Sequence, residues 1–192
     1  MGFVCIRVGA RHMLRGMRRY TMKVGLAWAV SGMAWAVPTP DQVLLQAQVL
    51  RVVDGDSLWV RPPGGAPLRL RMAGVDAPEI CQRHGREARD ALAARLQGKA
   101  VRVTLQHKDT YDRWLARVDG PDGDVGAWLV GQGHAWSMRW HNNPGPYAVQ
   151  ETAARKARRG LFKEAQPETP RDFRRRNGPC QAGAAPHTAQ PG

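Results

Sequence analysis

The stretches VVDGDSLWV (residues 52–60) and LRLRMAGVDAPE (residues 68–79) place four acids close together in a chain with 29 basic and 16 acidic residues. Their β-branched and alternating apolar residues, separated by a loop rich in proline and glycine, predict two neighbouring strands. Asp54 and Asp56 flank Gly55, so on extended backbone their side chains point to the same face. Such a concentration of negative charge in a basic chain needs a physical reason.

The second stretch contains the other two acids, Asp76 and Glu79. Between them, Pro78 stops the strand and turns the chain. If the two strands pair, the carboxylates converge. Like charges repel, so convergence is favourable when a hard cation takes oxygen ligands from the cluster or when one acid stays protonated. The alternative is that the Asp-Gly-Asp segment is an ordinary hairpin turn and Asp-Ala-Pro-Glu a helix N-terminus, both solvated.

The rest of the chain predicts an α+β fold. Five short runs bounded by Gly, Pro and Asp are predicted strands: Val43–Val53, Leu58–Arg61, Leu68–Val75, Val101–Lys108 and Trp114–Asp119. Three helices are predicted: Arg86–Gln97, Val125–Gln132 and Tyr147–Arg159. Five strands with a few helices suggest a small five-stranded Greek-key barrel of the OB type.

The chain resembles the staphylococcal nuclease (thermonuclease) family from about Val49 to Phe162. The family's Asp-Gly-Asp turn and its Arg-x-x-x-x-Asp-x-Pro-Glu motif correspond to residues 54–56 and 71–79. Its Tyr-Gly-Arg-x-Leu-Ala strand corresponds to residues 111–116, and segments beginning at residues 85, 129 and 151 are similar to its helices. These matches occur in the expected order and spacing, which makes the set more specific than any single motif. The resemblance also implies the OB-type barrel.

The acids include candidate ligands for a divalent metal ion. Asp56 and Asp76 are the first candidates, with Asp54 nearby and the backbone carbonyl of Ala77 available. Ligation by oxygen alone points to Ca²⁺, or less strongly Mg²⁺, rather than zinc. Cys81 and His84 do not have zinc-site spacing and are expected in an ordinary loop. The resemblance implies that Asp56 and Asp76 bind Ca²⁺.

Three further residues have the chemistry that phosphodiester cleavage needs. Glu79 can deprotonate an attacking water as a general base, and Arg71 and Arg113 can grip phosphate oxygens and stabilise the charge that builds on them. The alternative for each arginine is a surface strand charge. The resemblance implies these catalytic roles for Arg71, Glu79 and Arg113, and cleavage of DNA or RNA to 3′-phosphates with little sequence preference.

Other residues are candidates for binding the substrate. Tyr111 can contact it, and Arg139 and Trp140 can form a stacking and phosphate-holding wall together with Trp136. Packing in the core explains the two tryptophans equally well.

The chain also departs from the best-known family member. Ala77 replaces a Thr, Asp112 replaces the Gly before Arg113, and the loop between Glu79 and Gly85 is shorter. The Asp112 change adds a negative charge beside a predicted phosphate-binding arginine, so it puts the substrate range and the rate in question.

Residues 1–36 predict a secretory signal peptide. They contain six basic residues and no acid, followed by a short apolar run that ends in small residues at Ala34 and Ala36. The run is too short for a membrane span, although an uncleaved anchor and, less favoured, a buried core helix are alternatives. Met22 is an alternative start of translation. Cleavage is predicted after Ala36, giving a protein exported to the periplasm or outside the cell without stable membrane association.

The mature chain is predicted to consist of a nuclease domain (residues 37–166) and a basic, mobile tail (residues 167–192). Without the leader the net charge of +13 falls to about +7, and this positive excess favours nucleic acid as a partner. The protein is expected to be a monomer. Arg174, Arg175 and Arg176 can contact a phosphate backbone, although a solvated tail is somewhat favoured. The alternative to an enzyme is a non-catalytic OB-fold module that binds nucleic acid.

The cysteine count predicts a disulfide bond. Cys81 and Cys180 are the only cysteines left once the leader, which contains Cys5, is removed. An even pair in an exported protein favours a bond, because such compartments are oxidising. A bond ties the tail beside the loop that follows Glu79; two free thiols are the alternative.

Overall fold

The computed structural model describes residues 43–178 and Cys180. The strands are β1 (Val43–Val52), β2 (Ser57–Arg61), β3 (Leu68–Met72), β4 (Val75–Asp76), β5 (Ala100–Lys108), β6 (Trp114–Gly120), β7 (Gly123–Asp124) and β8 (Trp136–Ser137). The helices are α1 (Gly85–Leu96), α2 (Val125–Gly131), α3 (Ala148–Lys156) and α4 (Pro170–Asn177), and a 3₁₀ turn spans Gly160–Lys163.

Five strands form a closed barrel in the order β3-β2-β1-β5-β6, and each neighbouring pair in this order is antiparallel. Parallel pairing of β3 with β6, from Leu70 opposite Trp114 to Met72 opposite Ala116, closes it. The short strand β7 extends the β6 edge, and β4 pairs separately with β8. The predicted α+β fold with a five-stranded OB-type barrel is confirmed.

The core fills the barrel from alternating strand positions. In β5, Val101, Val103 and Leu105 are buried while the residues between them face outward. Helix α1 covers the barrel with Ala88, Leu92 and Leu96, which recur at helical spacing and are fully buried. The barrel strands and α1 therefore pack into one hydrophobic core, which holds in place the strand ends that carry the acids.

Helix α4 is the main departure from the sequence prediction, which made residues 167–192 a mobile tail. Thr169 caps the helix by accepting a hydrogen bond from the Asp172 amide at 3.2 Å, and Pro170 occupies the first turn. The average composition of the segment hid this local start signal. Residues 170–177 are therefore helical within the predicted tail, whose mobility stays a prediction.

The predicted leader lies outside the described residues, so its cleavage after Ala36 stays a prediction. Within residues 43–178, no helix has the length and apolar character needed to cross a membrane.

Candidate active site

The Asp-Gly-Asp turn connects β1 to β2 and is tightly packed. A Cβ atom on Gly55 would lie 2.7 Å from the Cβ of Ala77 and 2.9 Å from the Cβ of Ala88. Glycine is therefore required here, because the turn is pressed against α1 and the segment after β4. The Asp54 carboxylate accepts a hydrogen bond from the Asp56 amide at 3.1 Å, which fixes the turn.

Asp56 is almost fully buried, with 4% of its surface exposed, and is held from three sides. The hydroxyl of Ser57 donates to it at 3.0 Å and the amide of Ala77 at 3.3 Å. Nη1 of Arg71 lies 3.1 Å from both of its carboxylate oxygens. A buried carboxylate is tolerated only with such partners, so these contacts fix its position.

Arg71 joins the two predicted metal ligands. Its Nη2 lies 3.5 Å from Oδ1 of Asp76, while its Nη1 binds Asp56. Strand pairing explains the geometry, because Ser57 stands opposite Arg71 across β2 and β3, and Asp76 opposite Trp136 across β4 and β8. The structure therefore brings Asp56, Arg71 and Asp76 together in a single cluster.

The cluster concentrates negative charge in a poorly solvated place. Burial, followed by the charge of Asp56, raises the pKa of Asp54 to about 7. Burial and Asp56 also raise the pKa of Asp76 to about 6, although Arg71 and Arg174 oppose the rise. The Asp56 carboxylate in turn raises the pKa of the Arg71 guanidinium. The carboxylates thus favour a cation or a proton between them.

Glu79 lies at the rim of this cluster. Its amide donates to Oε1 of Gln82 at 3.1 Å, which orders the loop before α1. Its half-buried carboxylate forms an ion pair with Arg174 of α4. Gln82 also donates to the Glu168 carbonyl at 2.7 Å, so the same side chain ties the start of α4 to this loop.

Arg113 has a carboxylate partner of its own, Asp109. Its Nε and Nη2 atoms lie 2.8 and 2.7 Å from Oδ2 of Asp109, and its guanidinium lies 5.3 Å from the ring centroid of Tyr111. Leu115 stands opposite Arg71 across the parallel β3–β6 pair, which places Arg113 two residues before the partner of Arg71. Barrel closure thus positions the second predicted arginine relative to the first.

The departure at Asp112 has a local explanation. Its φ of 57° is left-handed, a conformation that glycine adopts without strain and that Asp tolerates better than most residues. Its carboxylate lies 2.6 Å from Nζ of Lys108. The added negative charge is therefore paired with a lysine rather than with Arg113.

The three residues of the predicted substrate wall, Trp136, Arg139 and Trp140, have different surroundings. Arg139 lies 2.7 Å from the buried carboxylate of Glu151, which also accepts hydrogen bonds from the Ser137 amide and from Arg155. Trp140 is 74% exposed. Trp136 is buried in a small second core with Ala154, Leu161 and Phe162, so for this tryptophan core packing is the role that the structure shows.

Cys81 and Cys180 are joined by a disulfide bond, with their Cα atoms 5.8 Å apart. The bond connects the loop after Glu79 to the residues that follow α4. His84, three residues further on, lies 2.8 Å from the carboxylate of Glu164 and belongs to an ordinary loop, as expected.

The donor set fits a hard cation whose coordination is completed by other ligands. Among the described residues, no group of three or more His, Cys, Asp or Glu side chains is placed to hold a metal ion by itself. Asp56 and Asp76 share Arg71, however, and their oxygen-only chemistry suits Ca²⁺ or Mg²⁺ with carbonyl and water ligands. Ala77, whose carbonyl was the predicted backbone ligand, is held beside Asp56 by its own amide.

Sequence reasoning missed two residues that shape the site, Asp109 and Gln82, and one contact, that of Arg174 with Glu79. Asp109 forms a local turn by accepting hydrogen bonds from the amides of Tyr111 and Arg113, and turn chemistry of this kind is readable from sequence. The Arg174 contact depends on where the tail folds, and the predicted pairing of Cys81 with Cys180 was the available signal.

Comparison with known proteins gives a consistent result. The family described as staphylococcal nuclease homologues matches residues 69–164. The chain is 35% identical over 144 residues to a protein of Escherichia coli O157:H7 named uncharacterized endonuclease, a match that covers 74% of this chain and 92% of that protein. It is 31% identical over 150 residues to a micrococcal nuclease of Shigella flexneri, covering 72% and 86% of the two chains. A Haemophilus influenzae protein, also named uncharacterized endonuclease, is 30% identical over 128 residues, with coverage of 67% and 72%.

Proposed function

The chain belongs to the family of staphylococcal nuclease homologues, and on that premise we propose that it is an exported, Ca²⁺-dependent nuclease that leaves 3′-phosphate ends on DNA or RNA. The general activity follows from the family and from relatives named endonuclease and micrococcal nuclease. The protein is a hydrolase of phosphodiester bonds that acts on nucleic acid. The family is one of metal-dependent nucleases. The identity of the metal, the product ends and the export are the proposal.

The observation that carries the proposal is the cluster of Asp56, Arg71 and Asp76. A buried carboxylate, Asp56, and a half-buried one, Asp76, share one guanidinium, and burial raises the pKa of Asp76 to about 6. Asp56 and Asp76 would hold the Ca²⁺ ion, and Asp54 supports them through the turn. Held there, Ca²⁺ would neutralise charge on the phosphate and polarise it.

The remaining residues have roles in proton transfer and charge stabilisation. Glu79 accepts the proton of the attacking water, since its carboxylate lies at the edge of the cluster. Arg71 and Arg113 donate hydrogen bonds to the phosphate oxygens as negative charge builds on them. Asp109 fixes the orientation of the Arg113 guanidinium by binding its Nε and Nη2 atoms, so one edge is left for the phosphate.

A non-catalytic module that binds nucleic acid is the second candidate. Such a module has no need for the acids or the arginines, whereas this chain has Asp56, Arg71, Asp76, Glu79 and Arg113 together. The hydrogen bonds that the buried Asp56 accepts also favour an active site. Burying a carboxylate lowers the stability of the fold, so a function that needs the carboxylate explains its presence.

The decisive experiment incubates the purified protein with end-labelled single-stranded DNA and RNA in Ca²⁺, in Mg²⁺ or in excess chelator. We expect cleavage in Ca²⁺ and none in chelator, with products whose 3′ ends can be extended only after phosphatase treatment. The Glu79→Gln variant should lose about 10²-fold or more in turnover, the scale of general-base catalysis.

Matched variants separate chemistry from charge. Glu87→Gln removes the same charge from an exposed position on α1 that binds His84, and it should leave turnover unchanged. Arg71→Ala and Arg113→Ala should each cost a factor similar to that of Glu79→Gln. Full activity in chelator, or an unimpaired Glu79→Gln enzyme, contradicts the proposed mechanism; binding without cleavage under every condition favours the second candidate.

A further inference from the structure

Helix α4 is fastened beside the active site at several points. The disulfide joins Cys180, which follows the helix, to Cys81, two residues after Glu79. At the other end, Gln82 donates to the Glu168 carbonyl at 2.7 Å, and Pro170 is buried. A helix held at both ends keeps its side chains in a fixed relation to the loop that carries Glu79.

The three arginines in the last turn of α4 have different partners. Arg175 lies 3.1 Å from Asp172 within the helix, and Arg176 pairs with Glu168 at the start of the segment. Arg174 instead reaches out of the helix to the carboxylate of Glu79, and its charge also acts on Asp76. The basic run therefore supplies the active site with one arginine rather than three.

The ion pair of Arg174 with Glu79 is open to solvent. The Arg174 side chain is 42% exposed and that of Glu79 is 25% exposed, so another anion can reach the guanidinium and take the place of the carboxylate. A substrate phosphate is such an anion, since guanidinium groups bind phosphate with the same bidentate geometry as carboxylate.

We propose that Arg174 is a third phosphate-binding arginine of the active site, which binds Glu79 in the free protein and a backbone phosphate next to the scissile one in the complex. This inference rests on the proposed function. The disulfide keeps α4 in place, so the exchange requires rotation of the Arg174 side chain and no departure of the helix. An inhibitory latch that lifts away fits poorly with a helix covalently tied two residues from Glu79.

The test measures binding separately from cleavage. Anisotropy of a fluorescein-labelled, single-stranded oligodeoxynucleotide is titrated in excess chelator, so that no cutting occurs, over a series of salt concentrations. For Arg174→Ala we expect affinity to fall about tenfold, the loss of one charged hydrogen bond, and the slope of log K against log salt to decrease by about 0.7, the loss of one contact to single-stranded phosphate. Arg174→Lys should recover part of both.

Arg175→Ala is the matched control, because it removes the same charge from the same helix but from a residue paired with Asp172. It should change the affinity less than twofold, about the limit of a long-range charge effect. In Ca²⁺, Arg174→Ala should raise KM by a larger factor than it lowers kcat, since the contact lies outside the reacting bond.

The disulfide gives an independent second test. The double variant Cys81→Ser/Cys180→Ser should also weaken binding, but by little or nothing when Arg174→Ala is already present, because both changes remove the same contact. Additive losses in this cycle would overturn the inference.

Three other results would also contradict the role of Arg174: wild-type affinity in Arg174→Ala, an equal loss in Arg175→Ala, or a higher kcat at unchanged affinity, which identifies a latch. A wild-type protein that binds the oligonucleotide but does not cut it in Ca²⁺ refutes the proposed function, while the binding data still decide the role of Arg174.

Discussion

Replacing Asp76 by Asn should stabilise the cation-free protein at neutral pH, although it removes a predicted metal ligand. Burial, followed by the charge of Asp56, raises the pKa of Asp76 from 3.8 to about 6. A carboxyl whose pKa is higher in the folded state keeps its proton there after the unfolded chain has released it. The free energy of unfolding therefore falls as pH rises from roughly 4 to roughly 6, and the loss is complete above the folded pKa.

The size of the effect follows from that pKa. Each unit corresponds to about 1.4 kcal/mol, so a rise from 3.8 to about 6 costs the folded protein up to about 3 kcal/mol near pH 7.5. Asn keeps the shape and a hydrogen-bond acceptor but carries no charge. The contact it weakens is the longer of the two that Arg71 makes, 3.5 Å against 3.1 Å to Asp56. We expect Asp76→Asn to be about 2–3 kcal/mol more stable than the wild type at this pH.

The assay is urea unfolding followed by tryptophan fluorescence, in excess chelator, from about pH 4 to about pH 8. The difference between Asp76→Asn and the wild type should be small at the acid end and grow as pH rises. Asp90→Asn, on an exposed part of α1 where its partner is Arg89, should show no such trend. A difference that is independent of pH, or a variant that is less stable at neutral pH, would refute the reasoning. Added Ca²⁺ should stabilise the wild type more than Asp76→Asn.

Reducing the disulfide, whose cysteines are separated by 99 positions, should lower the free energy of unfolding by at most about 4–5 kcal/mol, the chain-entropy value for such a loop; urea melts with and without a phosphine reductant measure it, and unchanged melts count against the bond. Gly55→Ala should cost about 1–3 kcal/mol and much of the activity through overpacking, whereas Gly65→Ala, with no neighbour closer than 3.4 Å, should cost little in the same melts. N-terminal sequencing of exported protein should give Val37 as the first residue; a start at residue 1 would contradict the predicted leader.

The barrel was predictable because its pattern is local. Strand alternation and glycine or proline boundaries identified all five barrel strands, and the helical stripe of Ala88, Leu92 and Leu96 identified α1. The convergence of Asp56 and Asp76 also followed from sequence, because strand pairing and the Asp-Gly-Asp turn constrain both. These features depend on a few residues that are close together along the chain.

The contacts that escaped prediction join distant parts of the chain. Arg174 and Glu79 are 95 positions apart, and no periodicity within α4 indicates which surface the helix will meet. The pairing of Arg139 with the buried Glu151 depends on how α3 docks on β8. Such outcomes are decided by packing, which a local pattern does not contain.

Parallel closure of the barrel has a consequence for when the protein can act. The residues predicted to perform the chemistry all lie between Asp54 and Arg113. Strand β6, which follows Arg113 and closes the barrel by pairing with β3, is complete only at Gly120. The partner of the strand that carries Asp76 follows later still, at Trp136 and Ser137. A nascent or prematurely terminated chain that ends before this point has every predicted catalytic side chain but lacks the pairing that assembles them. Assembly of the predicted active site therefore has to wait until at least Ser137 has been synthesised.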